Sequence, residues 1–545
     1  MNTVSEHVHD SWQKIFLDTP AFDATSAHNS LLRLAMQPVD LTRDDVLNSE
    51  RLEKYTSRAA GFTLAYGCER VTDEVLEALL LLAKERRVLE QMACMQRGDP
   101  INCIAGFESE ERKVLHTACR DLFNADSVSK IALEARKQSF DEHEKLKRFL
   151  AKIEGRFTDM VFIGIGGSEL GPRAIFQALG FYKHPEKNAH FIGNVDPDDV
   201  AEVISKVNLK KALVVVISKS GTTIETATNE HFLRSSYAEL GLDSKEHFVA
   251  VTMPNTPMDR SNEYMERFHL WDYVGGRYSS TSMVGGVLIG FMMGYEPFYE
   301  LCRGAHDMDR AALVPDEKHN PALVGALIGV WNRNFLHYPT VGVIPYSRML
   351  ARFPAHLQQC DMESNGKRID RRAHPTQYPT GPVVWGEPGT NAQHSFFQLL
   401  HQGTNVVPIE FIGFKESQAG HDFVYKGSSS QEKLLSNLFA QSIALARGQK
   451  NANPNRYFPG NRPSSLLLAK KLTPYTLGAL LAYYENKIAF QGFLWGINSF
   501  DQEGVQLGKV LADKVLDLFK AKREGGQAEP FALAETLIGF LSDLK

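Results

Sequence analysis

The chain has 545 residues, of which 43% are hydrophobic and 23% are charged, and its formal net charge is −5. This length exceeds one typical core, so we expect a globular protein with two domains and elaborations. The mildly acidic balance argues against a general nucleic-acid binder, because a phosphate backbone demands a clustered basic face.

The six cysteines include no CxxC pair and no Cys/His ligand spacing. They are typical of scattered thiols in a reducing compartment rather than of a disulfide framework or a zinc site. The first ten residues lack a charged segment followed by an apolar one, and the apolar run Leu79–Ala83 is far too short to span a membrane. We therefore expect a cytoplasmic protein that binds no membrane.

The N-terminal part of the chain, to about Lys152, has apolar residues at three- and four-residue steps, which predicts helices. The charges within Val128–Phe149 are typical of a solvated helix face. This part of the chain is interpreted as scaffold without chemistry.

A short strand beginning at Asp159 is followed by a Gly-Gly-Ser loop and a helical segment. Gly167 and Ser168 stand where backbone N–H groups and a helix start can hold a phosphate. Glu169 replaces the third glycine of the dinucleotide-binding fingerprint, and Gly171-Pro172 stands where an ATP-binding loop needs Gly-Lys. Taken alone the loop is a weak signal, since glycines there also permit close helix packing.

The same arrangement follows the apolar strand Ala212–Ile217. The loop reads SKSGTT, in which Ser218, Lys219, Ser220 and Thr223 can donate to a phosphate. A helix cap with a serine turn would need only one or two of these residues. The density of donors therefore favours a phosphate site.

Paired glycines also precede an arginine in the segment Asp272–Ser279, which reads DYVGGRYS. Gly276 lets Arg277 approach a bound molecule, and its guanidinium can stabilise a developing oxyanion. On its own, an arginine in a turn is more often part of a surface ion pair.

The second half of the chain again alternates between predicted helices and predicted strands. A helix is predicted over Pro321–Leu336, a strand over Thr340–Pro345, a helix over Ser347–Cys360, and strands over Val383–Trp385 and Val406–Phe411. The polar stretch Gln359–Thr404 lies between the strands predicted at Thr340–Pro345 and Val406–Phe411, and it contains Glu363 and His394. Its side chains suit acid, base and hydrogen-bond chemistry better than core packing.

Near the C-terminus, Pro474–Asn486 is predicted to be a helix with Thr473 as its N-cap. The segment FDQEGVQLGK places Gln502 and Lys509 on either side of a second predicted helix start, with Asp501 as N-cap. A break is expected at Glu524–Gln527.

Several of these motifs together resemble a known family. SKSGTT resembles the phosphosugar-binding loop of sugar isomerase (SIS) domains, and DYVGGRYS and FDQEGVQLGK resemble two signatures of the glucose-6-phosphate isomerase family, also called phosphoglucose isomerases. The resemblance runs from about Asp159 to Lys509. It implies an α/β fold with two doubly wound, flavodoxin-type SIS-like domains, an N-terminal helical region and C-terminal helices. The corresponding ranges are 1–125 for the helical region, 126–300 and 301–515 for the two α/β domains, and 516–545 for the helical tail.

The resemblance also implies an activity: reversible isomerisation of glucose 6-phosphate and fructose 6-phosphate through ring opening and a cis-enediol(ate), in glycolysis and gluconeogenesis, without metal or organic cofactor. Glu363 matches the base that moves the proton between C1 and C2, and His394 the ring-opening group. Lys509 matches the lysine near the ring oxygen, and Arg277 the group that stabilises the enediolate. The phosphate is expected among Ser168, Ser218, Lys219 (chiefly its backbone), Ser220 and Thr223, with further substrate contacts from Gly167, Gly276, Gln359 and Gln502.

In this family the histidine comes from the partner subunit, which implies a homodimer. Two other functions remain open at this point: a different SIS-type activity on mannose phosphate or an amino-sugar phosphate, and a phosphosugar sensor or extracellular signalling protein without turnover. A sensor needs the phosphate loop but not the acid–base residues. An amidotransferase is disfavoured, because Met1-Asn2 offers no N-terminal cysteine nucleophile.

Overall fold

The computed structural model describes residues 12, 14–16, 18–123, 129–260 and 262–542. Contacts divide the chain into two compact units, one ending at Ser499 and one beginning at Phe500. The first unit contains the strands and most of the helices.

The strands of the described chain are β1 Thr56–Ala59, β2 Phe62–Ala65, β3 Asp159–Ile163, β4 Asn188–Ile192, β5 Ala212–Ile217, β6 Phe248–Thr252, β7 Glu266–His269, β8 Thr340–Pro345, β9 Val383–Trp385, β10 Ile409–Glu416, β11 Val424–Tyr425, β12 Ser428–Ser429 and β13 Ser464–Lys471.

The α-helices are α1 Ser26–Ala35, α2 Ser49–Lys54, α3 Asp73–Glu85, α4 Val88–Arg97, α5 Lys130–Lys152, α6 Leu170–Ala178, α7 Pro197–Lys206, α8 Ile224–Glu239, α9 Met283–Met293, α10 Tyr295–Ala311, α11 Pro321–Val330, α12 Phe353–Leu357, α13 Phe397–Gln402, α14 Ser430–Arg447, α15 Pro474–Trp495, α16 Gln506–Glu524 and α17 Ala532–Ser542. Two π-helices, Trp331–Phe335 and Gln358–Glu363, directly continue α11 and α12.

The first sheet is parallel and has the order β4-β3-β5-β6-β7. All six residues of its central strand β5 are buried, as expected for a parallel strand covered on both faces. The chain moves outward from β3 to β4 and then returns to the other side of β3 at β5. The loops after β3 and β5 therefore meet at the point where the strand order reverses, where sheets of this type bind ligands.

The second sheet has the order β1-β2-β13-β10-β8-β9. Strands β13, β10, β8 and β9 are parallel to one another, whereas β2 pairs antiparallel with β13. The predicted α/β fold is confirmed, since the first sheet is parallel and the second is largely parallel.

The N-terminal region departs from the purely helical prediction, because it contributes the hairpin β1–β2 to the edge of the second sheet. The two strands are joined by Ala60 and Gly61, both with positive φ (44° and 79°), the backbone that a two-residue hairpin turn requires. An alanine in that position gives a weak turn signal, so the hairpin was missed. The four predicted domain ranges stay a proposal.

Helix α15 packs against α10 and α11, and almost all of its residues are buried. It begins with the predicted cap, since the Thr473 side chain accepts a hydrogen bond from the Thr476 N–H. It runs beyond the predicted end at Asn486 as far as Trp495. Because the helix is buried on all sides, it has no polar face, and the spacing of apolar residues does not show where the helix ends.

The second unit contains α16 and α17. The predicted cap at Asp501 is wrong: a short 3₁₀ turn, Glu503–Val505, precedes α16, and Val505 occupies the cap position without a side-chain hydrogen bond. The predicted break is confirmed, because α16 ends at Glu524 and Gly525 follows with a φ of 72°. No helix in the described ranges has the length and apolar character needed to cross a membrane.

Candidate active site

The glycine turn after β3 lies directly against the turn that carries the predicted arginine. A Cβ atom on Gly167 would lie 2.3 Å from the carbonyl carbon of Gly276 and 2.7 Å from the backbone nitrogen of Arg277. Any side chain at Gly167 would therefore force the two turns apart. Glycine at this position brings the end of β3 and the 3₁₀ turn Gly276–Thr281 into contact.

Arg277 is buried, with only 2% of its surface exposed. Its Nε donates a hydrogen bond to Ser364 Oγ at 2.7 Å, and one terminal nitrogen donates to the Ser499 carbonyl at 2.6 Å. The other terminal nitrogen lies 3.6 Å from Glu363 Oε2. The guanidinium is thus fixed on two sides, with its third side towards a carboxylate.

Glu363 is the last residue of the π-helix Gln358–Glu363. A π-turn widens the helix by one residue per turn, and such turns occur frequently at functional sites. The Oε2 atom of Glu363 is buried and accepts no hydrogen bond within the described part of the chain. A carboxylate oxygen that accepts no hydrogen bond from the protein is available to accept a proton from a bound molecule.

Two residues that sequence reasoning missed hold this arrangement. The hydroxyl groups of Tyr278 and Ser364 share a hydrogen bond of 2.7 Å, and both side chains are buried. Burial raises the pKa of Tyr278, so its hydroxyl stays protonated. Tyr278 therefore orients the Ser364 oxygen that accepts from Arg277. Both residues lie next to predicted site residues, but only the fold shows that they touch.

Gln359 is the second residue of the same π-helix and faces the glycine turn, since its Nε2 would lie 3.3 Å from a Cβ on Gly166. Its Oε1 is buried, and no donor in the described ranges reaches it. The structure thus brings together Gly167, Gly276, Arg277, Gln359 and Glu363. Ser168 ends the turn that contains Gly167.

The loop between β5 and α8 contains the predicted phosphate donors. Ser218 Oγ and Thr223 Oγ1 lie 2.9 Å apart, and the Gly221 N–H donates to Ser218 Oγ at 3.1 Å. Ser220 is exposed, and its Oγ accepts from the Thr222 hydroxyl at 2.9 Å. Thr223 precedes α8 and makes no side-chain cap, so the N-terminus of this helix retains free N–H groups for an anion.

The Lys219 ammonium is held away from the hydroxyl groups of its own loop. It donates to the carbonyl oxygens of Asp272 at 2.7 Å and Val274 at 3.0 Å. Burial lowers the pKa of Lys219 to about 8, with the nearby Asp272 opposing the shift. This side chain therefore joins the phosphate loop to the segment before Gly275, which leaves its backbone N–H as the group available for an anion.

His394 lies apart from this group. It ends the 3₁₀ turn Asn391–His394, and its side chain is exposed. Within the described chain it has neither a hydrogen bond nor an ion pair, and nothing places it beside Glu363. Its predicted role therefore remains open on the geometry of a single chain.

Gln502 and Lys509 belong to the second compact unit. Lys509 is exposed in the first turns of α16. Their participation in the site stays a prediction.

The arrangement combines three capacities. Hydroxyl groups and N–H groups at one helix start can bind a phosphate, a buried arginine can stabilise an oxyanion, and a carboxylate beside it can move a proton. Among the described residues, no group of three or more His, Cys, Asp or Glu side chains is placed to hold a metal ion.

Comparison with known proteins gives a consistent result. The family model described as phosphoglucose isomerase matches residues 65–532. A glucose-6-phosphate isomerase from Protochlamydia amoebophila is 54% identical over 95% of this chain and 96% of its own length. One from Chlamydia pneumoniae is 54% identical over 93% of this chain and 96% of its own length.

A solved structure agrees with the sequence comparisons. The crystal structure of a glucose-6-phosphate isomerase from Chlamydia trachomatis superposes with a TM-score of 0.93 at 49% identity, and the match covers 96% of this chain and 100% of that one. The chain belongs to the phosphoglucose isomerase family.

Proposed function

We propose that this chain interconverts glucose 6-phosphate and fructose 6-phosphate, as a step of glycolysis and gluconeogenesis, without metal or organic cofactor. The observation that carries the proposal is the pair formed by Glu363 and buried Arg277, with 3.6 Å between them. Isomerisation needs a base beside a group that stabilises the oxyanion, whereas a phosphosugar sensor needs neither.

In the proposed mechanism, Glu363 removes the proton from C2 of the open-chain aldose. The electron pair forms the C1–C2 double bond, and negative charge develops on O1, where Arg277 stabilises it. Glu363 then returns the proton to C1, and the O2 hydroxyl proton moves to O1, which gives the ketose. The reverse reaction follows the same steps.

The phosphate is proposed to bind at the start of α8. Ser218, Ser220, Thr223 and the Lys219 backbone would donate hydrogen bonds, and Ser168 would contribute from the neighbouring loop. The position of these loops at the reversal of strand order supports this placement. Gly167 and Gly276 would let the sugar approach the backbone, and Gln359 and Gln502 would contact its hydroxyl groups.

His394 is proposed to open the sugar ring in the site of a second subunit, together with Lys509 near the ring oxygen. The exposed position of His394 supports a role across subunits. The second compact unit also exposes apolar side chains that suit an interface between copies: Leu507, Val510, Leu516, Leu533 and Leu537. A homodimer would then be the smallest active form. We place it in the cytoplasm, where six free thiols are compatible with a reducing environment.

The activity is tested with purified protein by coupling glucose 6-phosphate formation from fructose 6-phosphate to a dehydrogenase, with and without a chelator. We expect turnover that the chelator does not change. No turnover would refute the activity, and loss of turnover in chelator would refute the absence of a metal.

The dimer is tested by mixing two inactive variants, Glu363→Gln and His394→Ala, after dissociation. If the histidine acts across subunits, one site of each mixed dimer is intact, and random pairing restores about a quarter of wild-type activity. If Glu363 and His394 of the same chain form each site, every site carries a defect and activity does not return.

A further inference from the structure

A buried polar cluster lies behind the π-helix that carries Glu363, and the proposed mechanism does not use it. Its titratable members line a cavity of about 30 Å³: Glu69, Arg333, Tyr338, Asp361, Glu410 and Lys487. They come from the loop after β2, the π-helix Trp331–Phe335, the segment before β8, the π-helix Gln358–Glu363, β10 and α15. The cavity is therefore lined by residues of the second sheet, the two π-helices and helix α15.

The charges within this cluster do not balance. Three carboxyl groups, those of Glu69, Asp361 and Glu410, face the ammonium of Lys487 and the guanidinium of Arg333. Arg51 also lies near Glu69, but its guanidinium donates to the backbone carbonyls of Gly67, Glu69 and Val71 rather than to a carboxylate. Lys487 forms an ion pair with Glu410, and Arg333 Nε donates to the Thr380 carbonyl at 2.7 Å. An unpaired buried carboxylate is costly, so the excess carboxyl group is expected to keep a proton.

The hydrogen bonds lead to the same conclusion. No donor within the described ranges reaches the buried atoms Asn332 Oδ1, Asp361 Oδ1, Glu410 Oε2 and Gln491 Oε1, and the unpartnered hydroxyl of Tyr484 lies near Glu410. The cluster therefore has more acceptors than donors, and a carboxyl group that keeps its proton supplies one more donor. Burial raises the pKa of Asp361 to about 7 and that of Glu69 to about 8, which agrees with a retained proton near neutral pH.

The cluster is connected to both reacting groups. Asp361 lies two residues before Glu363 in the same π-helix. Asn365, four residues after Asp361, donates to the Ile488 carbonyl at 3.1 Å and accepts from Ser499 Oγ at 2.7 Å. The carbonyl of Ser499 is in turn an acceptor for Arg277.

We propose that Asp361, Glu410, Glu69 and Lys487 form a proton-retaining cluster whose members are positioning residues for the isomerisation. The cluster anchors the π-helix to β10 and α15 and so fixes Glu363 opposite Arg277. Loss of the retained proton would leave an uncompensated carboxylate in the cavity and loosen this anchor. The proposal rests on the role of Glu363 given above.

Kinetics of Asp361 variants test the anchor. A displaced base loses rate more than binding, so Asp361→Ala is expected to lower kcat by about tenfold or more with KM within about threefold of wild type. Asp361→Asn, an uncharged isostere, is expected to keep at least about tenfold more of kcat than Asp361→Ala and to move the alkaline decline of kcat to higher pH. Equal losses in the two variants, or an unchanged pH profile in Asp361→Asn, would overturn the proposal.

Charge pairing is tested separately. Lys487→Met removes the ion-pair partner of Glu410 and should lower kcat, and the double variant Lys487→Met/Glu410→Gln should recover most of the loss. A double variant no better than Lys487→Met would overturn the proposal. Lys206→Met, which breaks the exposed ion pair with Glu202 on α7, is the control and should leave kcat unchanged.

Hydrogen–deuterium exchange provides a readout without turnover. Amides of 357–366 should exchange faster in Asp361→Ala than in wild type and stay close to wild type in Asp361→Asn. Unchanged exchange in Asp361→Ala would refute the anchor. Because this measurement needs no activity, it separates failure of the cluster from failure of the proposed function.

Discussion

Replacing Arg277 with lysine is expected to lower kcat by about 10²–10³, because the variant loses a preorganised donor to the oxyanion. The guanidinium reaches Ser364 Oγ at 2.7 Å and the Ser499 carbonyl at 2.6 Å while a third nitrogen faces Glu363. A single ammonium on a shorter group cannot keep this fork. Each hydrogen bond lost from a charged group costs about 1.5–3 kcal/mol, so some stability is also lost.

The measurement is steady-state kinetics in the coupled assay, with urea unfolding to record stability. KM should change much less than kcat, because the phosphate loop supplies most of the ground-state binding in this account. Arg86→Lys is the matched control: Arg86 is also buried and donates to the backbone carbonyls of Leu494 and Phe493, but it takes no part in the proposed site. It should lose stability and keep kcat. An Arg277→Lys variant that is folded and within about threefold of wild-type kcat would refute the role of Arg277 in stabilising the oxyanion.

Two further predictions concern binding and pH. Thr223→Val removes a hydroxyl from the phosphate loop and should raise KM about tenfold or more, because a hydrogen bond to a charged group is lost. Thr223→Ser keeps the hydroxyl, and its KM should stay near that of wild type. Equal KM values for the two variants would contradict phosphate binding by this hydroxyl. Burial raises the pKa of Glu69 from 4.5 to about 8. Between pH 4.5 and pH 8 the folded state therefore binds more protons than the unfolded state, and the stability contributed by this group falls as pH rises through this range. Glu69→Gln should therefore lose less unfolding free energy between pH 5 and pH 8 than wild type, and identical pH dependence in urea unfolding would contradict the retained proton.

Many of the strands follow from sequence patterns that involve only a few neighbouring residues. The strands predicted at Ala212–Ile217, Thr340–Pro345 and Val383–Trp385 have the same bounds in the structure. The strand predicted at Val406–Phe411 begins three residues later, at Ile409, because Pro408 has no N–H to donate to a neighbouring strand. These features are local, and the sequence contains the information directly.

Features that depend on the packed structure were not predictable in the same way. The predicted helix Ser347–Cys360 is broken into a 3₁₀ turn, Arg348–Leu350, then α12, and then a π-helix that carries Glu363. Apolar spacing does not distinguish a π-turn from an α-turn over so few residues. The contact of Tyr278 and Ser364, 86 residues apart, likewise depends on tertiary structure.

The candidate site shows the same difference between residues that a single chain brings together and residues whose placement needs more than local structure. The predicted glycines, Arg277 and Glu363 meet in one chain because adjacent turns bring them together. His394 lies apart from that group in the single chain, and Lys509 belongs to the C-terminal unit, so for these two residues the family motifs remain the source of the assignment.

The central claim is that Glu363 transfers the proton between C1 and C2. The most direct test is Glu363→Gln, which keeps the size of the side chain and removes the base, assayed for turnover and for deuterium incorporation from heavy water into the sugar phosphate, with substrate binding measured by calorimetry. We expect binding close to wild type and a loss of about 10²–10⁴ in both turnover and deuterium incorporation. A folded variant that binds substrate and still exchanges and isomerises at the wild-type rate would contradict the account.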